Sequence, residues 1–271
     1  MSPHLNVRVR CEVQISVRAI FILTTYRLVG MSRVMSDART NSGKPPSARE
    51  KLLEAAFSLI RAKGYTATTV DDLCAAAGVT KGAFFHHFKS KDDLGVAAAH
   101  HWSEVTDALF AAAPYHAHVD PLDRVLSYLD FRKALLQGEV REFTCLVGTM
   151  VQEAYDSHPA IRAACDASIS GHASKLEGAI AEAIQVHGIG ADWSAASLAL
   201  HTQAVLQGAF ILAKAKGGSQ VAADSIGHLH RYIALLFNRN LKKRGKPKTS
   251  RAGRKGQKNS EKPKRNVLVP D

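Results

Sequence analysis

Apolar residues recur at helical spacing from Ser47 onward, and each stretch begins with a side chain that can cap a helix. Ser47 and Glu50 form a capping box, in which each side chain accepts a hydrogen bond from the other residue's backbone. The apolar positions that follow are Leu52, Leu53, Ala56, Phe57 and Ile60. Their spacing predicts an amphipathic helix that ends at Gly64.

Two short helices are predicted next. Thr69 and Asp72 form a second capping box, which opens a helix that runs to Ala77. Gly78 supplies a tight turn, and Thr80 caps the helix that follows. Two short helices joined by a glycine turn are typical of the helix-turn-helix, whose second helix enters the major groove of DNA.

The remaining pattern is helical throughout, which predicts an all-α chain. Ser90 with Asp93 caps a longer helix that continues past Trp102. Further helices are predicted over residues 120–137, 142–155, 159–186, 192–216 and 220–238, with Asp192 as the cap of the fourth. We therefore expect a small N-terminal helical module at residues 47–94, followed by a larger helical domain at residues 95–238.

The net charge of +12 is concentrated near the ends of the 271-residue chain. Residues 239–271 hold 13 of the lysine and arginine residues and two acidic ones, in a composition that cannot bury a core. This basic tail is predicted to be disordered and to add sequence-independent attraction to phosphate.

Residues 1–46 are predicted to be a disordered leader and linker, with Met31 or Met35 as alternative starts. A signal peptide is the weaker interpretation, because a charged start, a long apolar run and a cleavage site do not occur in order. No apolar run reaches the roughly 20 residues that cross a bilayer. The four cysteines form no CxxC pair, which favours a cytoplasmic protein without disulfides or zinc.

The junctions of the N-terminal helices resemble the DNA-binding domain of the TetR family of transcriptional regulators. The resemblance covers residues 47–94 and rests on AKGY at 62–65, the Thr68–Thr69 pair, DDLCAAAGV at 71–79, TKGAFFHHF at 80–88 and KSKDDL at 89–94. It implies a three-helix helix-turn-helix domain that binds DNA. It also implies that residues 95–238 bind an effector and dimerise.

The recognition helix is expected to begin with Lys81 and Gly82, since the first residues of such a helix face base edges. Lys81 can reach guanine or a phosphate, and Gly82 lets the backbone approach closely. Thr69 and Lys91 lie at helix N-termini that favour phosphate, and the resemblance implies that both bind the DNA backbone. The predicted DNA-binding residues are Thr69, Thr80, Lys81, Gly82, Phe85, His86, His87 and Lys91.

Phe85 and His86 stand where members of the family commonly carry two tyrosines. Phe85 cannot donate a hydrogen bond to phosphate, so packing or contact with a thymine methyl remains for it. His86 can donate, and more strongly when it is protonated. For His87, a structural role and a phosphate contact are equally open.

The resemblance further implies a homodimer formed by the last two long helices, at about residues 192–216 and 220–238. Its two recognition helices would meet a palindromic operator about one DNA turn apart. A small-molecule pocket is expected among the central helices, although each candidate also suits an ordinary core position. The candidates are Phe131, Leu135, Phe143, Cys145, Thr149, Met150, Glu153, His172 and Gln203.

Other chemistry is weakly supported. Cys145 and Cys165 have no basic neighbour in the sequence that would activate a thiol, so buried structural cysteines are preferred to a redox switch. Adjacent histidines such as His100 and His101 point apart on a helix, and we interpret them as solvent-facing rather than metal-binding. No cofactor motif, nucleophile–base pair or phosphate loop is visible, which argues against an enzyme.

We therefore predict a ligand-responsive repressor that a small molecule releases from its operator. The alternatives are an enzyme that uses the helical domain and a protein that coats DNA through its basic tails. Deletion of residues 239–271 separates the last alternative, because a repressor would keep its operator preference with weaker affinity.

Overall fold

A computed structural model describes residues 45–190 and 192–238, and within these ranges every regular element is helical. The predicted all-α class is confirmed. The α-helices are α1 Ala48–Lys63, α2 Val70–Ala77, α3 Lys81–His87, α4 Lys91–Ala111, α5 Pro121–Ala134, α6 Val140–Phe143, α7 Leu146–Ala154, α8 Pro159–His187, α9 Ala195–Lys216 and α10 Gln220–Leu236. A 3₁₀ turn, Pro114–Ala117, precedes α5. The predicted leader up to residue 44, with its alternative starts, and the basic tail lie outside the described residues.

Local capping explains where the first four helices begin. The capping boxes predicted at Ser47 and Thr69 are both present. The side chains of Thr80 and Ser90 accept backbone hydrogen bonds at the starts of α3 and α4. Gly78 ends α2 with φ of 63°, a left-handed conformation that glycine adopts without strain. These contacts set the turn between α2 and α3.

The N-terminal module packs around one apolar side of α1. Leu52, Phe57 and Ile60 of α1 are buried, together with Leu73 of α2 and Phe84 of α3. Both short helices pack on α1 and on each other. The angle between α2 and α3 is therefore held by side-chain packing as well as by the Gly78 turn.

The larger domain is arranged around α8. This 29-residue helix packs against α4, α5, α7 and α9, while α10 packs on α5 and α9. Helix α4 runs without interruption across the boundary predicted between residues 94 and 95. Helix α4 is therefore shared by the N-terminal module and the larger domain.

Two predicted details of the helices are wrong. The helix predicted over 142–155 is two helices, because the chain is extended at Thr144 and Cys145, and the Cys145 side chain caps α7. The cap of α9 is Ser194, which forms a capping box with Ser197, rather than Asp192. Both helix starts depend on a capping side chain, Cys145 or Ser194. The spacing of apolar residues does not show which side chain acts as the cap.

Helices α9 and α10 present apolar side chains to solvent. The large exposed residues of this outer face are Leu200, Ile211, Leu212, Tyr232 and Leu235, of which Leu235 is 70% exposed. Helix α9 is the one helix in the described part of the chain with the length and apolarity to cross a membrane, and 39% of its most apolar window is buried. Its buried side contributes Leu198, Ala199, Leu206 and Ala209 to the core, so only the other side of this helix is open to a partner.

Candidate DNA-binding surface and effector cavity

The recognition helix α3 has one buried and one exposed side. Phe84 is fully buried, whereas Lys81, Gly82, Phe85 and His86 are exposed. The Phe85 ring is 56% exposed. Because covering an apolar ring is favourable, Phe85 suits contact with an apolar group such as a thymine methyl.

Thr80, Gly82 and His87 complete the predicted set on α3. The Thr80 hydroxyl caps the helix by accepting from Ala83 N at 3.2 Å. A Cβ atom added to Gly82 would lie 3.7 Å from Thr80 Oγ1, an ordinary contact, so the free protein tolerates a side chain there. His87 is partly buried, with its ring 4.9 Å from that of His86.

Lys81, the first residue of α3, forms an ion pair with Asp71 of α2. Its Nζ lies 2.7 Å from Asp71 Oδ1, and both side chains are more than half exposed. The hydrogen bond to Asp71 raises the pKa of Lys81, so the amine stays charged at neutral pH. Exposed ion pairs of this kind contribute little to stability, and Lys81 can exchange its partner for phosphate or guanine.

Thr69 caps α2, but its polar groups are already used within the module. Its amide and hydroxyl donate to Asp72 Oδ2 at 2.8 and 2.7 Å. Asp72 also pairs with Lys63, and the hydrogen bond from Lys63 is the main cause that lowers the pKa of Asp72. A phosphate contact at Thr69 therefore requires Asp72 to move aside or the first-turn amides of α2 to take over.

Lys91 opens α4 as predicted, but its amine is turned toward the loop between α1 and α2. Nζ donates to the carbonyl oxygens of Tyr65 and Thr66 at 3.2 and 3.4 Å, and lies 4.4 Å from the centre of the Tyr65 ring. The Tyr65 hydroxyl donates to Asp92, and its ring packs on His158. In this DNA-free arrangement Lys91 belongs to a cluster that joins α4 to the α1–α2 loop.

A small cavity lies between α4, α5, α8 and α9, with a volume of about 50 Å³. Its wall is largely aromatic and aliphatic, with a few polar side chains. Aromatic members are Trp102, Phe110, Phe143 and Phe210, and polar members include Arg132, Thr144, His172 and Gln203. Ligand sites in proteins commonly combine an apolar wall with a few placed polar groups.

The predicted pocket residues are divided among three places. Leu135, Phe143, Cys145, His172 and Gln203 line this cavity. Thr149 and Glu153 line a neighbouring cavity of about 220 Å³, which shares Thr144 and Cys145 with the first. Phe131 and Met150 lie in the packed interior, 4% and 0% exposed. Contact of any of them with a ligand stays a prediction.

Sequence reasoning missed Arg132 and Thr144. Arg132 lies one turn after Tyr128 and one turn before Leu135. It therefore shares a helix face with the predicted pocket residue Leu135, and this spacing could have identified it. Thr144 gave no comparable signal, because it lies at the helix break that the apolar spacing did not reveal.

Arg61 joins the cavity wall to the DNA-binding module. The side chain is buried near the end of α1, where Nε donates to Phe57 O at 2.8 Å. Its Nη1 donates to the carbonyl oxygens of Glu142 and Thr144, at 3.0 and 3.5 Å, and its guanidinium lies over the Trp102 ring. Burial lowers the pKa of Arg61 to about 10, so the group is still charged at neutral pH.

A second connection runs through α7. Glu153 accepts a hydrogen bond from Thr66 N, at 2.7 Å, in the loop between α1 and α2. On the same helix, Thr149 accepts from Nζ of Lys214, at 2.7 Å, and burial lowers the pKa of Lys214. Helix α7 therefore bridges the DNA-binding module and α9.

Cys145 and Cys165 have different environments. Cys165 is fully buried, and burial raises its pKa to about 12. Cys145 is partly exposed and lines both cavities, and its Sγ accepts from Gly148 N at 3.4 Å. The inference that no basic group stands near either cysteine is wrong for Cys145, because the fold brings Arg61 and Lys214 close enough to interact with it electrostatically.

We expect iodoacetamide to alkylate Cys145 in the folded protein about tenfold faster than Cys165, or more, because the thiolate is the nucleophile and burial suppresses it at Cys165. A time course of peptide mass spectrometry at neutral pH measures both rates. Replacement of Cys165 by serine should leave the rate at Cys145 unchanged. Equal rates at the two cysteines in the folded protein would contradict the expectation.

No metal centre is formed by the residues that the structure describes, since none of their His, Cys, Asp and Glu side chains form a group of three or more suited to an ion. His100 is exposed, as interpreted. His101 is not solvent-facing, because its ring stacks on Phe57 at 5.5 Å and its Nδ1 lies 3.1 Å from Glu104.

Two family profiles match the chain. The profile for bacterial regulatory proteins of the tetR family covers residues 52–98, and the profile for the tetracyclin repressor-like C-terminal domain covers residues 121–229. Together they span more than half of the 271 residues.

Curated relatives and solved structures agree with these profiles. The chain is 32% identical over 110 residues to the transcriptional regulator AcuR of Cereibacter sphaeroides, covering 39% of this chain and 48% of AcuR. It is 29% identical over 105 residues to the repressor DhaR of a Mycobacterium species, covering 39% of this chain and 51% of DhaR. The matched segment thus spans about half the length of these relatives.

Among solved structures, regulatory protein TetR from Rhodobacter sphaeroides is similar, with a TM-score of 0.61, 25% identity, and coverage of 70% of this chain and 98% of that one. A TetR transcriptional regulator from Chloroflexus aurantiacus gives a TM-score of 0.61 at 26% identity, covering 69% of this chain and 94% of that one.

Proposed function

We propose that this chain, which belongs to the TetR family of bacterial regulatory proteins, is a ligand-responsive repressor. A homodimer binds a palindromic operator, and a small molecule in the helical domain releases it. Residues 47–94 bind DNA, and residues 95–238 bind the effector and dimerise. The protein acts in the cytoplasm as a regulator rather than an enzyme.

The observation that carries the proposal is the surface of α3. Lys81, Phe85 and His86 are exposed on a short helix whose other side is anchored by the buried Phe84. The start of this helix is open, since Gly82 leaves its backbone uncovered. A rigid helix with an open N-terminus and placed polar groups suits entry into the major groove.

Dimerisation through α9 and α10 is supported by the outer face of these helices. Leu200, Ile211 and Leu212 of α9 are about half exposed, and Tyr232 and Leu235 of α10 are 45% and 70% exposed. The two helices pack on each other, with the His201 ring 5.6 Å from that of Tyr232. Exposed apolar groups on neighbouring elements mark interaction surfaces in soluble proteins. A two-fold dimer on this face places two recognition helices on neighbouring half-sites, about 34–36 Å apart.

The release mechanism uses the two connections between the cavity and the DNA-binding module. A ligand beside Thr144 shifts the carbonyl groups that Arg61 holds, and Arg61 lies in α1. The Glu153 bond to Thr66 moves with α7. Ligand binding then favours a different separation of the two recognition helices, in proportion to its preference for that state.

The test is a gel shift with DNA from upstream of the protein's own gene, against unrelated DNA of equal length. The repressor should bind the upstream fragment with at least about a thousandfold preference, the low end for specific DNA-binding proteins. Equal affinity for both fragments across a range of salt concentrations would contradict the proposal.

Lys81→Ala is expected to weaken operator binding about tenfold, as one phosphate or guanine contact is lost, and to reduce the salt slope by about one if that contact is to phosphate. Asp71→Asn is the matched variant, because it removes the partner of Lys81 and leaves the amine free for DNA. Gel shifts at several salt concentrations measure both. An operator affinity of Lys81→Ala equal to that of the wild type would show that Lys81 does not contact DNA.

A further inference from the structure

Arg132 brings a positive charge without a counter-charge to the cavity wall. Within residues 45–190 and 192–238, no carboxylate lies within 4.0 Å of its guanidinium, and no hydrogen bond is formed by it. Three rings surround the group instead, with Phe110, Phe210 and Tyr128 centred 5.1, 5.7 and 6.0 Å from Cζ. None of its five N–H donors is used by another described residue, and the side chain lines the cavity.

Two buried polar groups that line the same cavity also lack partners. Gln203 is 5% exposed and Thr144 is 1% exposed, and neither Nε2 of Gln203 nor Oγ1 of Thr144 has a hydrogen-bond partner among the described residues. Native proteins satisfy most buried polar groups, and each exception is destabilising unless something binds it. Both exceptions line the cavity that Arg132 lines.

The three groups together indicate the chemical class of a ligand that would fit the cavity. Arg132 and the Gln203 amide nitrogen can only donate, and the Thr144 hydroxyl can donate. A cationic guest would be repelled by Arg132, and a hydrocarbon would leave all three unsatisfied. A planar anion with two acceptor oxygens matches the forked geometry of the guanidinium.

The cavity limits the size of the guest. Its volume of about 50 Å³ has room for roughly three to five water-sized groups. Beyond the polar cluster the wall is apolar, with Trp102, Phe143 and Val147 among its members. The guest therefore has a small hydrocarbon body attached to its anionic end.

His172 keeps the rest of the polar wall neutral. Burial, with a smaller effect from the charge of Arg132, lowers the pKa of His172 to about 3. Its Nε2 lies 2.9 Å from the Tyr128 hydroxyl, so this histidine already has a partner. The charge that a guest meets in the cavity is that of Arg132.

We propose that the effector of this protein is a small monocarboxylate, bound by Arg132 with the Gln203 amide and the Thr144 hydroxyl. This inference rests on the proposed function, because it names the ligand class of the same cavity. It also explains how the ligand would change DNA binding. A carboxylate bound at Thr144 contacts the residue whose carbonyl oxygen accepts a hydrogen bond from Arg61 in α1.

The test uses acetate and propionate, whose size the cavity allows, each paired with its primary amide, which has the same shape but no charge. Binding to the full-length protein is measured without DNA, by calorimetry and by tryptophan fluorescence, to which Trp102 in the cavity wall and Trp193 both contribute. At least one carboxylate should bind about 30-fold more tightly than its amide, the factor that corresponds to about 2 kcal/mol for a buried charge partner. If the wild-type protein binds each carboxylate and its amide equally well, or binds no carboxylate, the proposal is overturned without any variant.

Arg132→Gln should remove this preference, whereas Lys133→Gln should keep it. Lys133 is the matched control, because it is the next residue on α5, is exposed and loses the same charge. Circular dichroism checks that both variants fold. Carboxylate affinity retained in folded Arg132→Gln also overturns the proposal.

Operator binding is measured separately on the ligand-free wild-type protein. If the protein fails to select an operator but binds carboxylates through Arg132, the proposed function fails and the binding site stands. If it selects an operator and discriminates no carboxylate from its amide, the function stands and the ligand class is wrong.

Discussion

Replacement of Leu212 and Leu235 by glutamate in one variant is expected to convert the proposed dimer into monomers and to lower operator affinity about 100-fold or more. Both side chains lie on the outer face of α9 and α10, 46% and 70% exposed. In a two-fold dimer each substitution occurs twice, so four carboxylates would enter an apolar interface where charges are costly. A monomer binds only one half-site and loses the gain from joining two sites.

Sedimentation velocity measures the oligomeric state, and a gel shift on the full operator measures affinity. Val119→Glu is the control, because Val119 is a 94% exposed apolar residue in the loop before α5. That variant should remain dimeric and bind as the wild type does. A double variant that stays dimeric at micromolar concentration would place the interface elsewhere on the protein.

Arg61→Met is expected to separate ligand binding from DNA release. Methionine keeps much of the volume of arginine but cannot donate, so the carbonyl groups of Glu142 and Thr144 lose the bonds that Arg61 makes. The free energy of unfolding should fall by roughly 2–4 kcal/mol, from about 1–3 kcal/mol for each stranded group. An effector typically changes DNA affinity about 5–150-fold, and in Arg61→Met the effector should leave operator affinity almost unchanged.

Urea unfolding measures the stability, and hydrogen exchange over residues 139–145 reports whether this segment has come loose. Gel shifts with and without a carboxylate that binds the wild type measure the response. Lys51→Met is the control, since it removes an exposed positive charge from the same helix. A wild-type response in Arg61→Met would mean that the signal passes through another contact, with Glu153 to Thr66 as the next candidate.

Predictions from the sequence succeeded where structure depends on neighbouring residues. The capping boxes at Ser47 and Thr69, and the left-handed turn at Gly78, involve residues within four positions of each other. Such patterns can be read directly from spacing. The same logic placed the starts of α3 and α4 correctly, and so identified the exposed recognition helix.

Those predictions failed where two local solutions compete. At residues 192–197, Asp192 and Ser194 can each cap a helix, and the structure uses Ser194. At Thr144 and Cys145 the apolar spacing continues through the break, because residues on both sides face the same core. The helices at these positions pack on distant elements, α6 and α7 on α1 and α9 on α8, and no local pattern contains those contacts.

The sequence alone determined the helical class and the two short helices joined at Gly78, since capping, turn chemistry and periodicity act over a few residues. Only the tertiary structure decided the chemistry of the cavity. It brings Arg61 to a carbonyl 83 positions away and places Arg132, Thr144 and Gln203 around one cavity. Whether a buried polar group finds a partner depends on atoms contributed by segments far apart in the sequence. The spacing of residues along the chain does not indicate which of these segments come into contact.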